Sequence, residues 1–312
     1  MRSFWTVLLA ALVFVSAPAH AQKTYIAVGD SLAFGFKSIN PQSPNSTPVG
    51  GAGFAGYAGL YRQTLQAQTG TAYTLVNLGI VGETSGSVFA TGLAGGTPNS
   101  ALNSNYASGS PSQADLLDAL LTGPSASVGV VTIQVGANDV IQALETGQDP
   151  ALAIAAVQAN YNTLLSRIRA DKGGGALSNI TIVGYYDPFA NLSPTSPYAY
   201  LRALSPGLTA SLNSVLLGEA TQFGTRFVDL SAPFAAHLAD YDNYVLANSA
   251  QDALPPPPGF TAPAPNDHPT DLGYALIAQQ LAAPEPSAWT AFAVAASGLG
   301  LLLLRARCRR AQ

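Results

Sequence analysis

The sequence predicts an α/β protein: one three-layer α/β/α domain around an open, doubly wound parallel sheet of about five strands. Three observations carry this expectation. Short apolar runs rich in β-branched residues alternate with helix-like segments along the chain, the pattern of α/β folds. The apolar runs are continuous rather than alternating, as strands buried on both faces require. The first three run into glycine, at Gly29, Gly79 and Gly136, where a buried strand gives way to a turn.

The first strand is expected at 24–28, before Gly29-Asp30-Ser31. The second covers 73–78, the third 128–135, the fourth 179–183 and the fifth 225–230. Helices are expected at 54–68, 113–121, 151–168, 208–223 and 270–281. In the third of these, Ile154, Val157, Tyr161, Leu164, Leu165 and Ile168 share an arc of roughly 100° at about 3.6 residues per turn. Gly173-Gly174-Gly175 ends it, and Thr270 suits the cap of the last helix. Stretches 38–53, 91–111 and 255–265 are rich in Pro, Ser, Asn or Gly and read as loops. Loops beyond the carboxyl ends of such strands build the ligand crevice, so these three are expected to set substrate preference.

Both chain ends read as processing signals. Residues 1–21 combine Arg2, an apolar stretch at 4–15 and the small-x-small pattern Ala19-His20-Ala21, the layout of a signal peptide removed by signal peptidase. At the other end, Pro284-Glu285-Pro286 precedes an apolar stretch at 288–304, then Arg305, Arg307, Arg309 and Arg310. That stretch sits at the short limit of a membrane helix, and the arginines would hold its end in the cytoplasm. The tail, 284–312, resembles the PEP-CTERM sorting signal. The resemblance implies transient membrane contact, removal by an exosortase, and a bacterial cell-surface or extracellular product. A retained anchor is the alternative.

The folding unit is then 22–283, enough for one sizeable core. The chain's one cysteine, Cys308, lies in the tail, which leaves the domain without disulfide or cysteine–metal chemistry. Without Arg2, the four tail arginines and Glu285, the 13 basic and 17 acidic residues become 8 and 16, a net charge of −8. With no basic cluster, nucleic acid and anionic membrane surfaces are poor partners.

Of three histidines, His20 leaves with the signal. His237 reads as part of a surface turn. His268 lies between a Pro-rich loop and a helix, where it can serve as a base near neutral pH. Ser31 follows the first strand on a tight turn and is placed at the carboxyl edge of the sheet. Gly79 ends the second strand, where its N–H can approach a ligand closely. Asn138, in Gly136-Ala137-Asn138-Asp139, ends the third and offers a side-chain amide. Asp30 and Asp139 read as residues that brace their turns; Asp187, in Tyr185-Tyr186-Asp187-Pro188, reads as a turn former or a site-lining group. No carboxylate pair suits glycoside hydrolysis, and the two remaining histidines lack metal-ligand spacing. No metal or cofactor is expected.

These blocks resemble the SGNH/GDSL hydrolase family. They are Gly29-Asp30-Ser31-Leu32, Gly79 within Asn77-Leu78-Gly79-Ile80-Val81-Gly82, Gly136-Ala137-Asn138-Asp139, and His268-Pro269, in the family's order. The resemblance spans 24–281 and looks closest to the secreted lipase/acylhydrolase branch. It implies a flavodoxin-like sheet and a serine esterase or lipase that cleaves carboxylic acyl esters. Ser31 would be the nucleophile, His268 the base, and Ser31, Gly79 and Asn138 the oxyanion hole. The family usually places an aspartate two or three residues before the histidine. Here Asn266 and Pro265 hold those positions, and Asp267 precedes His268 directly. Asp267 is the candidate third member of a triad, although adjacent side chains need not face one another. A backbone carbonyl of the Pro-rich loop, or a plain Ser–His dyad, is the alternative. Alternative functions are deacetylation of an exopolysaccharide and non-catalytic binding at a surface or matrix. Residues 29–33 do not spell G-x-S-x-G, so the α/β-hydrolase elbow is not implied.

Overall fold

The computed structural model describes residues 22–38, 42, 56–92, 98–106, 111–123, 127–257 and 261–283. The expected signal peptide, the sorting tail and most of the 38–53 loop lie outside these residues. So do parts of the other two loops.

Strand β1 (Lys23–Gly29) leads into a single helical turn, α1 (Ser31–Phe34). Helix α2 (Gly56–Thr69) and strand β2 (Tyr73–Asn77) follow, then α3 (Asn99–Leu102), α4 (Gln113–Thr122) and β3 (Val128–Gln134). Next come α5 (Ala137–Thr146), α6 (Pro150–Asp171), β4 (Ile180–Val183), α7 (Leu201–Phe223) and β5 (Arg226–Val228). Helices α8 (Ser231–Ala235) and α9 (Asp271–Ala282) complete the order.

The five strands form one parallel sheet in the order β2-β1-β3-β4-β5. Ile26 at the middle of β1 pairs with Val76 on one side and Val131 on the other. Ile26, Val28, Val131, Ile133, Ile180 and Ile182 are buried, which explains why these strands read as unbroken apolar runs. Helices α2 and α9 pack on each other, and α6 packs against α4, α5 and α7. The sheet lies between these two helical layers. Each layer contributes aromatic mass to the core: Tyr61 of α2 meets Tyr25 of β1 edge-on, with ring centroids 5.5 Å apart, and Tyr161 of α6 is buried.

The helix ends follow local chemistry. Ser112 accepts from the Asp115 N–H and Asp149 from the Ala151 N–H, each ahead of the first turn it caps, and Thr270 caps α9 through the Gly273 N–H. Helix α6 closes at Gly173 and Gly174, whose N–H groups return to Ala170 and Arg169 carbonyls. Helix α7 starts at Leu201, earlier than the sequence predicts, and runs through Pro206. Its entry is wound with tight three-residue hydrogen bonds, such as Leu201 N–H to Tyr198 O, and Pro206, the sixth helical residue, brings no N–H to the ladder. Helix α5 is absent from the sequence expectation. Its first residues form the Gly136–Asp139 block, and reading them as turn chemistry hid the spacing of Val140, Ala143 and Leu144 behind them.

The Tyr161 hydroxyl lies under the carboxyl end of β3. It donates to Val135 O at 3.0 Å and accepts from Val135 N at 3.2 Å. Tyr161→Phe keeps the ring but leaves both buried backbone groups unpaired. It is expected to destabilise the protein by about 1–3 kcal/mol, read as a lower urea midpoint at unchanged slope; an unchanged midpoint would remove this hydroxyl from the account of how the β3 end is fixed.

Candidate active site

The strand order 2-1-3 places the carboxyl ends of β1 and β3 side by side, the switch point where open parallel sheets bind ligands. Asp30 caps α1 by accepting from the Leu32 N–H at 2.9 Å, which sets Ser31 at the first helical position. His268 arrives from the loop before α9. Its Nε2 lies 2.8 Å from Ser31 Oγ. Both residues are largely buried, at 8% and 6% exposure, so the pair is shielded from bulk water yet reachable from one side. The Phe36 ring meets the imidazole edge-on at 4.7 Å.

The other face of the imidazole has two oxygen neighbours. Nδ1 lies 2.8 Å from Asn266 Oδ1 and 3.0 Å from Asp267 Oδ1. Burial alone would raise the Asp267 carboxyl. The adjacent imidazole outweighs it through charge and a hydrogen bond, and holds the carboxyl below the usual range. Asp267 therefore does face the ring despite being its neighbour in sequence. Asn266, which occupies a position where the family usually has aspartate, faces it as well. The loop is tied on several sides: Tyr186 OH donates to Asp267 O at 2.6 Å, and Leu246 N–H to His268 O at 3.0 Å.

Asn138, on the first turn of α5, lines the same cavity as Ser31. Its Nδ2 donates to Glu83 O at 2.8 Å, which leaves a second amide hydrogen. Asp139 braces the same junction by accepting from the Ser85 N–H and hydroxyl at 2.8 and 2.7 Å. Gly79 departs from expectation. Its N–H donates to Asn77 Oδ1 at 2.9 Å, so the donor assigned to an oxyanion is already committed. Its lack of a side chain serves packing: a Cβ there would stand 2.4 Å from Phe34 N. The second glycine of that block, Gly82, lies on the Ile80–Glu83 turn at φ +82, a left-handed conformation suited to glycine. Among the described residues no acceptor takes its N–H or that of Ser31.

Two further residues were not singled out from sequence. Gln113, read only as a helix start, clasps Gly29 through N–H to Oε1 and Nε2 to O, both at 2.9 Å, and donates to Glu83 Oε2 at 2.7 Å. It thus joins the serine turn to the Gly82 turn. Burial pushes the Glu83 carboxyl up, against the Ser87 and Gln113 hydrogen bonds that favour its charged form. Asp187 accepts from the Phe189 N–H and sets its turn. His237 stacks on Tyr244 at 4.0 Å, with Nδ1 3.5 Å from Asp240, and takes no part in the Ser31 cluster.

Beside Ser31 opens a cavity of about 760 Å³, counted to its solvent mouth. Its wall is mostly apolar: Val140, Ile141 and Leu144 from α5, Phe189, and Leu204 and Leu208 from α7. None of the three loops expected to set specificity contributes a described residue to this wall. Segment 98–106 instead straps the end of β2, where Asn103 donates to Asn77 O and Gly79 O. Among the described residues no cluster of His, Cys, Asp and Glu could hold a metal ion, and no helix is long and apolar enough to cross a membrane.

A serine hydroxyl on an imidazole, that imidazole backed by a carboxylate and an amide oxygen, and free donors nearby define the serine-hydrolase class of site. The chain belongs to the GDSL-like lipase/acylhydrolase family, whose model matches residues 27–276, and is an esterase- or lipase-like hydrolase of that family. Similar solved structures include a lipase from a goat rumen metagenome, 18% identical, covering 83% of this chain and 95% of that one at TM-score 0.48. A catalytic mutant of an acetylxylan esterase from Geobacillus stearothermophilus is 17% identical, over 83% and 92%, at 0.47. Phospholipase A1 from Streptomyces albidoflavus is 19% identical, over 84% and 99%, at 0.46. No curated protein sequence matches the chain.

Asp30 is buried under the Ser31 turn, with Tyr185 OH donating to its Oδ2 at 2.7 Å. Burial, only partly offset by Tyr185 and the Leu32 N–H, raises its carboxyl from 3.8 to about 7. A raised folded-state value means that Asp30 supports folding below pH 3.8 and that this support is lost as pH climbs through about 7. An asparagine at this position can keep both hydrogen bonds without the charge, the Tyr185 hydroxyl then accepting from the amide. The thermal midpoint of Asp30→Asn is therefore expected to gain on wild type between about pH 4 and 7 and to hold a constant lead above. Parallel melting curves across that range would refute the assignment.

Proposed function

We propose that the protein hydrolyses carboxylic esters of medium-length acyl chains through an acyl-enzyme on Ser31. The observation that carries this is the Ser31 Oγ–His268 Nε2 contact at 2.8 Å beside the apolar cavity. Ser31 Oγ attacks the carbonyl carbon as its proton passes to Nε2. The oxyanion is met by the Ser31 N–H, the second amide hydrogen of Asn138 and the N–H of Gly82, which replaces Gly79 in this role. Collapse expels the alcohol, which leaves with the proton from Nε2. Water then attacks the acyl carbon, gives a proton to Nε2, and Ser31 recovers it as the acid departs. The wall of Val140, Leu144, Leu204 and Leu208 suits an alkyl chain better than an acetylated sugar.

A fluorophosphonate probe is expected to label wild type but not Ser31→Ala. Burial at about 0.8 kcal/mol per CH₂ implies a kcat/KM at least roughly tenfold higher for p-nitrophenyl octanoate than for the acetate. Asn138→Ala is expected to lower kcat by about 10²–10³. No label and no ester hydrolysis would favour the binding reading; preference for acetate and for acetylated polysaccharide would favour the carbohydrate esterase.

The same proposal includes export. The 1–21 and 284–312 patterns support cleavage by signal peptidase and an exosortase, leaving a cell-surface or extracellular enzyme. Mass spectrometry of the protein from its native cell envelope is expected to show a start at Gln22 and loss of the arginine tail. An intact C-terminus would indicate a retained anchor.

A further inference from the structure

The oxygen pair at His268 Nδ1 differs in how each member is held. Asn266 is fully buried. Its Nδ2 donates to Lys37 O at 2.7 Å and to Asp252 O at 2.8 Å. Two carbonyl acceptors demand the amide nitrogen on that side, so the orientation of the group is fixed and Oδ1 must point the other way. There it accepts from the His268 backbone N–H at 3.0 Å and faces Nδ1 at 2.8 Å. An amide oxygen cannot donate, so Nδ1 must carry the hydrogen and Nε2 must present its lone pair to Ser31. The Asp267 carboxylate lies slightly farther away, at 3.0 Å, with a side chain 22% exposed. Partial exposure leaves this side chain less firmly fixed than the buried amide, while its charge still acts on the ring.

We propose that Asn266 is the positioning residue of this site, fixing the tautomer and plane of His268, while Asp267 supplies charge to the imidazolium that forms during the reaction. One group sets geometry and the other electrostatics. This rests on His268 acting as the base for Ser31. The charged and titratable groups facing the ring are Asp267 beside it and Asp30 beneath the serine turn.

Three variants and one spectrum test the division. In Asp267→Asn, the downfield imidazole N–H proton resonance of ¹⁵N-labelled protein is expected to persist. Its kcat should fall less than about tenfold at high pH, and the acidic limb of the kcat profile should move to lower pH. In Asn266→Ala, the resonance is expected to vanish or shift upfield, and kcat to fall by about 10² with KM within about twofold. Asn266→Asp, which keeps an oxygen facing Nδ1, should recover part of that loss. The roles are overturned if Asp267→Asn loses the resonance, or if folded Asn266→Ala keeps both resonance and kcat. If Asn266→Ala does not fold, the Asp267→Asn spectrum alone decides. Fluorophosphonate labelling of wild type reports separately on Ser31, so failure of the nucleophile assignment is distinguishable from failure of this one.

Discussion

One hydrogen bond, Ser31 Oγ to His268 Nε2, closes across 237 residues of chain. Neither partner carries the other's position in its own neighbourhood, so the whole architecture serves to hold both ends still. The serine end hangs on the sheet. Strand β1 is paired on both edges, Gln113 clasps Gly29, and Asp30 fastens the first turn of α1. The histidine end has no strand beneath it. It is held by polar ties to three separate parts of the chain, through Lys37, Tyr186, and Leu246 with Asp252. Because interiors are close-packed and deform little, two such anchored ends can keep a contact that a free loop would lose.

The polar groups beneath the site form a connected set. Gln113 joins Gly29 to Glu83, the Glu83 carbonyl takes the Asn138 amide, and Asp139 takes Ser85. A buried polar group without a partner costs more than a hydrogen bond gains, so each member constrains its neighbours. Burial raises Glu83, Asp139 and Asp30 together.

The fold was legible because the strands are buried on both faces: their apolar runs at 24–28, 73–78, 128–135 and 179–183 sit within a residue or two of β1 to β4. The meeting of Ser31, His268 and Asn138 at one edge of the sheet was legible because a strand end, a helix start and a motif each place them. Two kinds of information were not. Which glycine of the Asn77–Gly82 block offers its N–H depends on where Asn77 Oδ1 turns, a side-chain choice invisible in spacing. What stands behind the imidazole depends on Asn266 Nδ2 finding the carbonyls of Lys37 and Asp252, which lie 229 and 14 residues away along the chain. Helix α5 was hidden for a related reason: the catalytic-looking block and the helix start are the same residues.

The placement of the cavity wall has a physical consequence. Among the described residues, most of its apolar side chains come from α5 and α7, elements packed on α6 and fixed by the core. Rigid helices lose little conformational entropy when a ligand arrives, so burial of alkyl surface goes into binding rather than into ordering the site. For the proposed acyl substrate, chain length would be read by the depth between fixed walls, and the α5 turn that carries Asn138 is continuous with one of them. Under the proposed reaction, an acyl group filling the cavity would press on the same helix that carries Asn138, so recognition of the chain and stabilisation of its carbonyl would be coupled through a single rigid element, α5, where Leu144 follows Asn138 by less than two helical turns.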